Sequence, residues 1–223
     1  MKIAYIDHYD SFSYNLIDWI GKTSLSIDLE LIPFDDELKI KKLFLKPQAL
    51  LISPGPNSPA EAASTVALVR HYLGKVPILG VCLGHQILGQ VLGYKIQKSV
   101  HPLHGGKKQI LIDDNSTMLV GLKSPSSVAS YHSLSLIADD PCSKSMVAAV
   151  CSRGEIMAIE YTAPDEFPAL GVQFHPESFL SDCTMAIRNN WLESIALWDS
   201  KRYSSDSYLS SSGDIHGSIG YFT

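Results

Sequence analysis

The hydrophobic positions of this chain fall into short apolar runs that are separated by amphipathic stretches. Apolar runs at residues 2–6, 49–52 and 76–81 predict buried strands, and residues 14–21 and 65–73 have the spacing of helices. Strands that alternate with helices in this way are typical of a parallel sheet covered on both sides. The pattern therefore predicts an α/β fold with an open, mainly parallel sheet and helices on both faces.

The second half of the chain predicts shorter strands, a final helix and a change in composition. The strands are expected around residues 109–112, 127–129, 146–150, 156–161 and 169–174, and the helix over about 185–198. Residues 199–223 are rich in serine and glycine and contain few aliphatic side chains, so they bury too little surface to offset the entropy of ordering. We predict one domain over residues 1–198 and a flexible, serine-rich tail over 199–223.

Cys82 stands at a predicted strand-to-helix corner, between Gly80 and Gly84. The glycines are expected to let the chain turn sharply enough to bring the sulfur out of the core. A helix that opens at about Gly84 would direct its positive dipole end at the thiol and favour the reactive thiolate. This setting is absent at Cys142, Cys151 and Cys183, and Cys151, which follows a predicted core strand, is interpreted as a packing residue. Cys82 is thus the candidate nucleophile.

A candidate base follows the predicted strand at residues 169–174. His175 and Glu177 are two positions apart, so in an extended chain their side chains share a face. Glu177 could then orient the imidazole, and His175 could exchange a proton with the thiol and with a leaving amine. Such a pair alone is more often a surface pair or a fragment of a metal site. Its weight here comes from Cys82.

Five motifs carry a family resemblance. Residues 80–86 (Gly-Val-Cys-Leu-Gly-His-Gln) and 171–178 (Gly-Val-Gln-Phe-His-Pro-Glu-Ser) resemble the class I (triad) glutamine amidotransferases. Residues 6–16 (Ile-Asp-His-Tyr-Asp-Ser-Phe-Ser-Tyr-Asn-Leu), 52–59 (Ile-Ser-Pro-Gly-Pro-Asn-Ser-Pro) and 131–134 (Tyr-His-Ser-Leu) are similar to the glutaminase subunit, component II, of anthranilate synthase and aminodeoxychorismate synthase. The likeness covers about residues 1–197 and implies a flavodoxin-like sheet.

The resemblance implies roles for the residues at the corner. Cys82 would attack the side-chain amide of L-glutamine, giving a thioester and ammonia, with His175 and Glu177 completing the catalytic triad. The backbone N–H groups of Gly55 and Leu83 would form the oxyanion hole.

The resemblance also implies how glutamine is held. Its amino and carboxylate groups would be bound by Gly55, Gln86 and the backbone of Ser133 and Leu134. For Gln86 the alternative is an ordinary solvent-facing residue in the first turn of the helix.

A separate synthase subunit is the expected partner. Ammonia that escapes into neutral water is protonated and is no longer a nucleophile, so it must pass directly to an acceptor in a second active site. The resemblance implies a chorismate-binding synthase subunit, component I, that carries Mg²⁺ and makes anthranilate for tryptophan or 4-amino-4-deoxychorismate for folate. The expected contact surface comprises Tyr9, Asp10, Ser11, Phe12, His104 and Gly105.

Two positions depart from the family pattern. Asn57 replaces a glycine that many members have, and the change is expected to be neutral because Gly55 is retained. Gly106 stands where the family usually has lysine, unless the register slips by one and Lys107 takes that place. This second departure concerns docking of the partner rather than hydrolysis.

Composition limits the size of the core, the kinds of partner and the cellular location that we expect for this chain. The 223 residues are 45% hydrophobic with a net charge of −5, which suits one sizeable core and argues against nucleic acid as a partner. No apolar run approaches the ~20 residues of a membrane helix, and no signal peptide is expected. The four cysteines form neither a disulfide framework nor a zinc pattern. We expect a cytoplasmic enzyme with no metal or cofactor in this chain and no membrane partner.

Other functions remain possible at this level. The chain could be an amidotransferase-like protein that serves a different acceptor, or a partner-binding relative without turnover. A hydrolase of γ-glutamyl conjugates also uses Cys and His, but would not be expected to combine the motifs at residues 10–12 and 131–134.

Overall fold

The computed structural model describes residues 1–43, 47–182 and 184–210. Within these ranges the strands are β1 (Lys2–Asp7), β2 (Asp28–Pro33), β3 (Ala49–Ile52), β4 (Ile78–Val81), β5 (Lys95–Ile112), β6 (Ser126–Ile137), β7 (Ser145–Cys151), β8 (Ile156–Tyr161) and β9 (Ala169–Val172). The α-helices are α1 (Ser13–Gly21), α2 (Glu37–Leu43), α3 (Ala63–Tyr72), α4 (Leu83–Val91) and α5 (Thr184–Ser210), and a short 3-10 helix spans Pro59–Glu61.

The described strands form a single sheet in the order β2-β1-β3-β4-β9-β8-β7-β5-β6. Strands from β2 to β9 in this order pair in parallel, and the remaining pairings are antiparallel. The α/β fold with an open sheet is therefore confirmed, and its parallel half is joined to an antiparallel half.

Helices cover both faces of the parallel half. Successive residues of a strand point to opposite faces, and Leu50 and Leu51 of β3 accordingly belong to two different hydrophobic clusters. The Leu51 cluster includes buried residues of α1 and α5, such as Trp19 and Trp191. The Leu50 cluster includes buried residues of α2, α3 and α4. Because both faces are covered, β3, β4 and β9 are buried along their whole length, as the continuous apolar runs predict.

The carboxyl ends of four adjacent parallel strands lie at one edge of the sheet. These strands are β1, β3, β4 and β9, and each continues directly into a loop or corner that contains a predicted functional motif. In an open α/β sheet this edge is where ligands bind.

The structure also contains elements that the sequence pattern did not predict. Strand β2 and helix α2 were missed, and β5 and β6 are much longer than the short predicted strands at residues 109–112 and 127–129. Helix α5 continues to Ser210, past its predicted end at residue 198. Residues 211–223 of the predicted tail lie outside the described residues. None of the described helices, α5 included, combines the length and apolarity needed to cross a membrane.

Candidate active site

Cys82 occupies the sharp corner between β4 and α4. Its backbone has φ 52° and ψ −98°, a left-handed conformation that is rare for a residue with a side chain, and it caps the N-terminus of α4. Its N–H donates to the carbonyl of Val172 at 2.8 Å, which ties the corner to the neighbouring strand β9. The residue is 8% exposed. The strain that a tight corner requires thus falls on the cysteine itself.

Gly80 and Gly84 have a different role from the one expected. Neither has a positive φ; instead, both allow close packing at the corner. A Cβ on Gly80 would lie 2.4 Å from the carbonyl oxygen of Gly84, and a Cβ on Gly84 would lie 2.5 Å from the carbonyl oxygen of Ile52. Side chains at these positions would push α4 away from the sheet, so the glycines hold the helix N-terminus directly behind Cys82.

His175 is brought to Cys82 because β9 is the neighbour of β4 in the sheet. Its Nδ1–H donates to Glu177 Oε1 at 2.6 Å, and both side chains are buried. Burial alone would lower the pKa of His175, but hydrogen bonds with Cys82 and Glu177, and their negative charge, raise it to about 10. The imidazole is therefore a cation at neutral pH, and it lies beside the sulfur of Cys82. The structure thus brings these three side chains together, with His175 between Cys82 and Glu177.

Aromatic rings enclose the imidazole of His175. The ring centroid of Phe12 lies 5.0 Å from it and that of Tyr131 lies 5.1 Å from it, and these two rings are 4.8 Å from one another. His104 packs edge-on against Tyr131 at 5.5 Å. The segments around Phe12 and His104, predicted to contact a partner, therefore meet at the mouth of the site on either side of Tyr131.

A cavity of about 480 Å³ opens above Cys82. It is lined by most of the predicted site residues, namely Asp10, Ser11, Phe12, Gly55, Cys82, Gln86, His104, Ser133, Leu134 and His175. Glu177 and Leu83 lie behind this lining, buried in the protein. Tyr9 is 55% exposed, and its hydroxyl donates to Asp35 at 2.6 Å. Gly105 is exposed at a positive φ of 80°.

Gly55 packs against the start of α4. A Cβ at this position would lie 2.8 Å from Leu83 Cδ2 and 2.6 Å from His8 Cβ, so no side chain fits. His8 is fully buried; its backbone N–H donates to Ser53 Oγ at 2.8 Å, and its Nε2 lies 3.2 Å from Thr65 Oγ1. The first N–H groups of a helix have no partner within the helix. Gly55 therefore lies in the cavity lining with Cys82, and Leu83 is the first residue of α4.

Gln86 is buried rather than solvent-facing, at 3% exposed. Its Nε2 donates to Gln173 Oε1 at 3.3 Å, and Gln173 Nε2 donates to Cys82 Sγ at 3.7 Å. Sequence reasoning missed Gln173. Its position two residues before His175 was the available signal, because both side chains then lie on the face of the chain that meets Cys82.

His132, which precedes the predicted glutamine-binding residues and could orient them, lines the cavity and contacts a lysine that the sequence did not single out. His132 Nδ1 lies 2.9 Å from the carbonyl oxygen of Leu134, and its Nε2 lies 3.3 Å from Lys108 Nζ. Lys108 in turn pairs with Glu155 at 2.6 Å. These residues are far apart in the sequence, and only the pairing of β5 with its neighbours brings them together.

The cysteines and the metal-binding residue types outside the corner add no second site. Cys142 is exposed and Cys151 is buried within β7, and both are free; Cys183 lies outside the described residues. In the part of the chain that the structure describes, no three His, Cys, Asp or Glu side chains lie close enough together to hold a metal ion.

The fold and the comparisons define the class of this enzyme. Residues 4–194 match the family "Glutamine amidotransferase class-I", and the chain belongs to that family. The crystal structure of a Thermoplasma acidophilum protein titled "putative gmp synthase subunit a" aligns with 91% of this chain and 98% of its own, with a TM-score of 0.76 and 21% identity. That likeness shows the common fold.

Relatives in sequence are named as synthase components. The chain is 38% identical over 192 residues to "Aminodeoxychorismate/anthranilate synthase component 2" of Bacillus subtilis, covering 86% of this chain and 95% of the relative. It is 39% identical over 192 residues to "Bifunctional protein TrpGD" of Thermotoga maritima, covering 86% of this chain and 32% of the relative. The chain thus spans about a third of that bifunctional protein and nearly all of the Bacillus subtilis one.

Proposed function

We propose that this chain is the glutaminase subunit of a chorismate-aminating synthase. It would hydrolyse L-glutamine to glutamate and pass the ammonia to the second subunit. The observation that carries the proposal is the imidazole of His175, which is hydrogen-bonded to Glu177 and lies beside Cys82 at the wall of a cavity of about 480 Å³. A cysteine held between a protonated imidazole and a helix N-terminus is equipped to attack an amide.

The reaction follows from the positions of the three side chains. The Cys82 thiolate attacks the side-chain carbonyl carbon of glutamine, forming a C–S bond and a tetrahedral oxyanion. His175 then gives its proton to the amide nitrogen, so that the C–N bond breaks and ammonia leaves a thioester. Water attacks the thioester and gives a proton to His175, and the C–S bond breaks to release glutamate and restore the thiolate. Glu177 keeps the imidazole oriented and balances its charge through both stages.

The cavity supplies groups for the rest of the substrate. The N–H groups of Gly55 and Leu83 would stabilise the oxyanion, where losing one donor typically costs about 10²–10³ in rate. Gln86 and the backbone of Ser133 and Leu134 would bind the amino and carboxylate groups of glutamine. All but Leu83 line the cavity with Cys82, and Leu83 is the next residue in the chain.

The partner is the chorismate-binding subunit, component I, in which the Mg²⁺ would be held. The names of the relatives support such a partner, because component 2 of a synthase implies a first component. The product is anthranilate or 4-amino-4-deoxychorismate. The surface for docking would be the cavity mouth, from Tyr9 to Phe12 and at His104 and Gly105. We place the enzyme in the cytoplasm, where reducing conditions keep a catalytic thiol free.

Changing Cys82 to serine tests the proposal in the complex with component I. Cys82→Ser should abolish product formation from glutamine, because the nucleophile is lost, while added ammonium still supports aminated chorismate at the wild-type rate. Cys142→Ser, at an exposed cysteine away from the cavity, is the matched control and should keep both activities. Glutamine-dependent product from Cys82→Ser at the wild-type rate would contradict the proposal.

A further inference from the structure

The ladder between β5 and β6 opens next to the cavity. Leu134 pairs with Lys98, and the next pair is His132 with Leu103, so Ser133 has no partner in the ladder. The residues of β5 between Lys98 and Leu103 bulge away opposite Ser133. Ser133 and Leu134 line the cavity. Backbone groups that are released from a ladder must find other partners, and here the cavity is where a ligand could provide them.

His132 secures one side of this opening. Lys108 Nζ can only donate, so His132 Nε2 accepts from it at 3.3 Å and His132 Nδ1–H donates to the carbonyl of Leu134 at 2.9 Å. Burial, and then the charge of Lys108, lower the pKa of His132 to about 4. The imidazole is therefore neutral at physiological pH, with its proton fixed on the nitrogen that faces Leu134.

Glu155 secures the other side. It accepts a hydrogen bond from Ser99 Oγ, at the start of the bulge, and Ser99 Oγ accepts from the backbone N–H of His101 at 3.2 Å. Burial raises the pKa of the Glu155 carboxyl, but hydrogen bonds from Lys108 and Ser99 outweigh this and leave it below its ordinary value. The Lys108–Glu155 pair thus contacts both strands where they separate.

The pair is costly if its only role is stability. Lys108 and Glu155 are 11% and 8% exposed at their side chains, and buried ion pairs often stabilise a fold less than apolar residues of similar volume would. The exposed pair Lys144–Glu166, with 48% and 32% exposure, does not bear this cost. The buried pair lies directly behind Ser133 and Leu134. In that position it can donate and accept hydrogen bonds, which an apolar pair could not do.

We propose that Lys108 and Glu155 are positioning residues that hold the opened segment of β5 and β6 in the shape that binds the amino and carboxylate groups of glutamine. The inference rests on the proposed glutaminase function and adds to it a specificity element outside the cavity lining. Lys107 is exposed, and the neighbouring Lys108 is the lysine that turns inward.

The test measures glutamine affinity without requiring turnover. The full chain is alkylated with iodoacetamide, Cys82 modification is followed by mass spectrometry, and glutamine is added at increasing concentration to protect it. Lys108→Met should weaken protection about 10- to 100-fold, because the hydrogen bond that holds His132 on Leu134 is lost. The rate of alkylation without glutamine should stay within about twofold, since Lys108 is absent from the described contacts of Cys82.

Three further variants separate positioning from folding. Lys108→Arg keeps the charge and should recover much of the affinity, and Lys144→Met makes the same chemical change at the exposed pair and should protect like wild type. Glu155→Gln retains the shape of the side chain and should also weaken protection, so it decides the question if Lys108→Met fails to fold.

The outcomes are distinct. Unchanged protection in a folded Lys108→Met or Glu155→Gln chain would overturn this inference alone. Equal loss of protection in Lys144→Met would also overturn it, because the effect would then be general destabilisation. Failure of glutamine to protect Cys82 in the wild-type chain would instead contradict the proposed function, and this inference with it.

Discussion

The charge of a single imidazole sets the chemistry of the site. His175 is buried, and burial favours its neutral form, yet contacts with Cys82 and Glu177 raise its pKa to about 10. The proton that the leaving amine needs is therefore already present at neutral pH. Glu177 is the part of this arrangement that can be altered without removing either the nucleophile or the acid.

Glu177→Gln tests how the charge is held. The amide can still accept the hydrogen bond from Nδ1, but it carries no charge, so the pKa of His175 should fall and the high-pH limb of glutamine hydrolysis should move to lower pH. We expect kcat to drop by about 10²–10⁴, the range of general acid–base catalysis. Steady-state rates of the complex across pH measure both effects.

A matched change controls for the loss of a carboxylate elsewhere. Glu166→Gln, at the exposed pair with Lys144, should leave kcat and the pH profile unchanged. A Glu177→Gln enzyme with the wild-type pH limb and rate would show that Glu177 does not act through His175.

At this scale the sequence predicted the residues that have a distinctive local setting. Cys82 has its glycines, and His175 and Glu177 have their two-residue spacing. Lys108 and Glu155 have no local signature, because their contact with one another and with His132 depends on which strands pair. Gln173 lay within a recognised motif, but its contact with Cys82 arises only when β4 and β9 are neighbours.

Among the elements, those buried on both faces were predictable and those at the edge were not. β3, β4 and β9 are continuous apolar runs with few alternative structures. β2 is an edge strand with mostly exposed or half-buried residues that ends at Pro33, so its pattern has no strong period. Much of β5 is likewise exposed and contains glycines, and its length depends on pairing with β6.

At the corner between β4 and α4, the sequence motif was located correctly, but the role expected for its glycines was wrong. The glycines were expected to permit the turn, whereas the turn is made by Cys82 at φ 52° and the glycines permit close packing. Both accounts require the same residues, so the sequence motif could not separate them. The distinction needs the distances from Gly80 to Gly84 and from Gly84 to Ile52.

At the scale of the whole molecule, the parallel and antiparallel halves of the sheet supply different residues of the candidate site. The parallel half supplies Cys82, His175 and the Gly55 loop from neighbouring strand ends. The antiparallel half supplies Ser133 and Leu134 from β6, at the opposite end of the strand order. β6 reaches the site where Ala129 bonds to His175 through a single bridge. This division explains why the candidate nucleophile could be located from the sequence more readily than the strand proposed to bind glutamine.

Buried histidines should make the stability of the whole fold depend on pH. Burial lowers the pKa of His8 to about 4, of His85 to about 3 and of His132 to about 4, against an ordinary value of 6.5. As pH falls from about 6.5 towards 4, the unfolded chain binds protons that the folded chain excludes, so the free energy of unfolding should fall. Each histidine contributes on the order of a few kcal/mol.

His175 acts in the opposite direction. Because its pKa is raised to about 10, its stabilising contribution is complete below about pH 6.5 and is lost as pH rises towards 10. Thermal melting from pH 4 to 10 should therefore show a maximum near neutral pH. His8→Asn should flatten the acid side, and His104→Asn, at an exposed position, should not. A melting temperature that rises steadily as pH falls from 6.5 to 4 would be inconsistent with these buried, neutral histidines.

The central claim is that Cys82 forms a covalent bond with glutamine, and mass spectrometry of the acid-quenched complex during turnover measures this directly. We predict a glutamyl thioester on the peptide that contains Cys82, absent from Cys82→Ser, with Cys142 and Cys151 unmodified. Steady release of glutamate with no adduct on Cys82, or an adduct on another cysteine, would contradict the account.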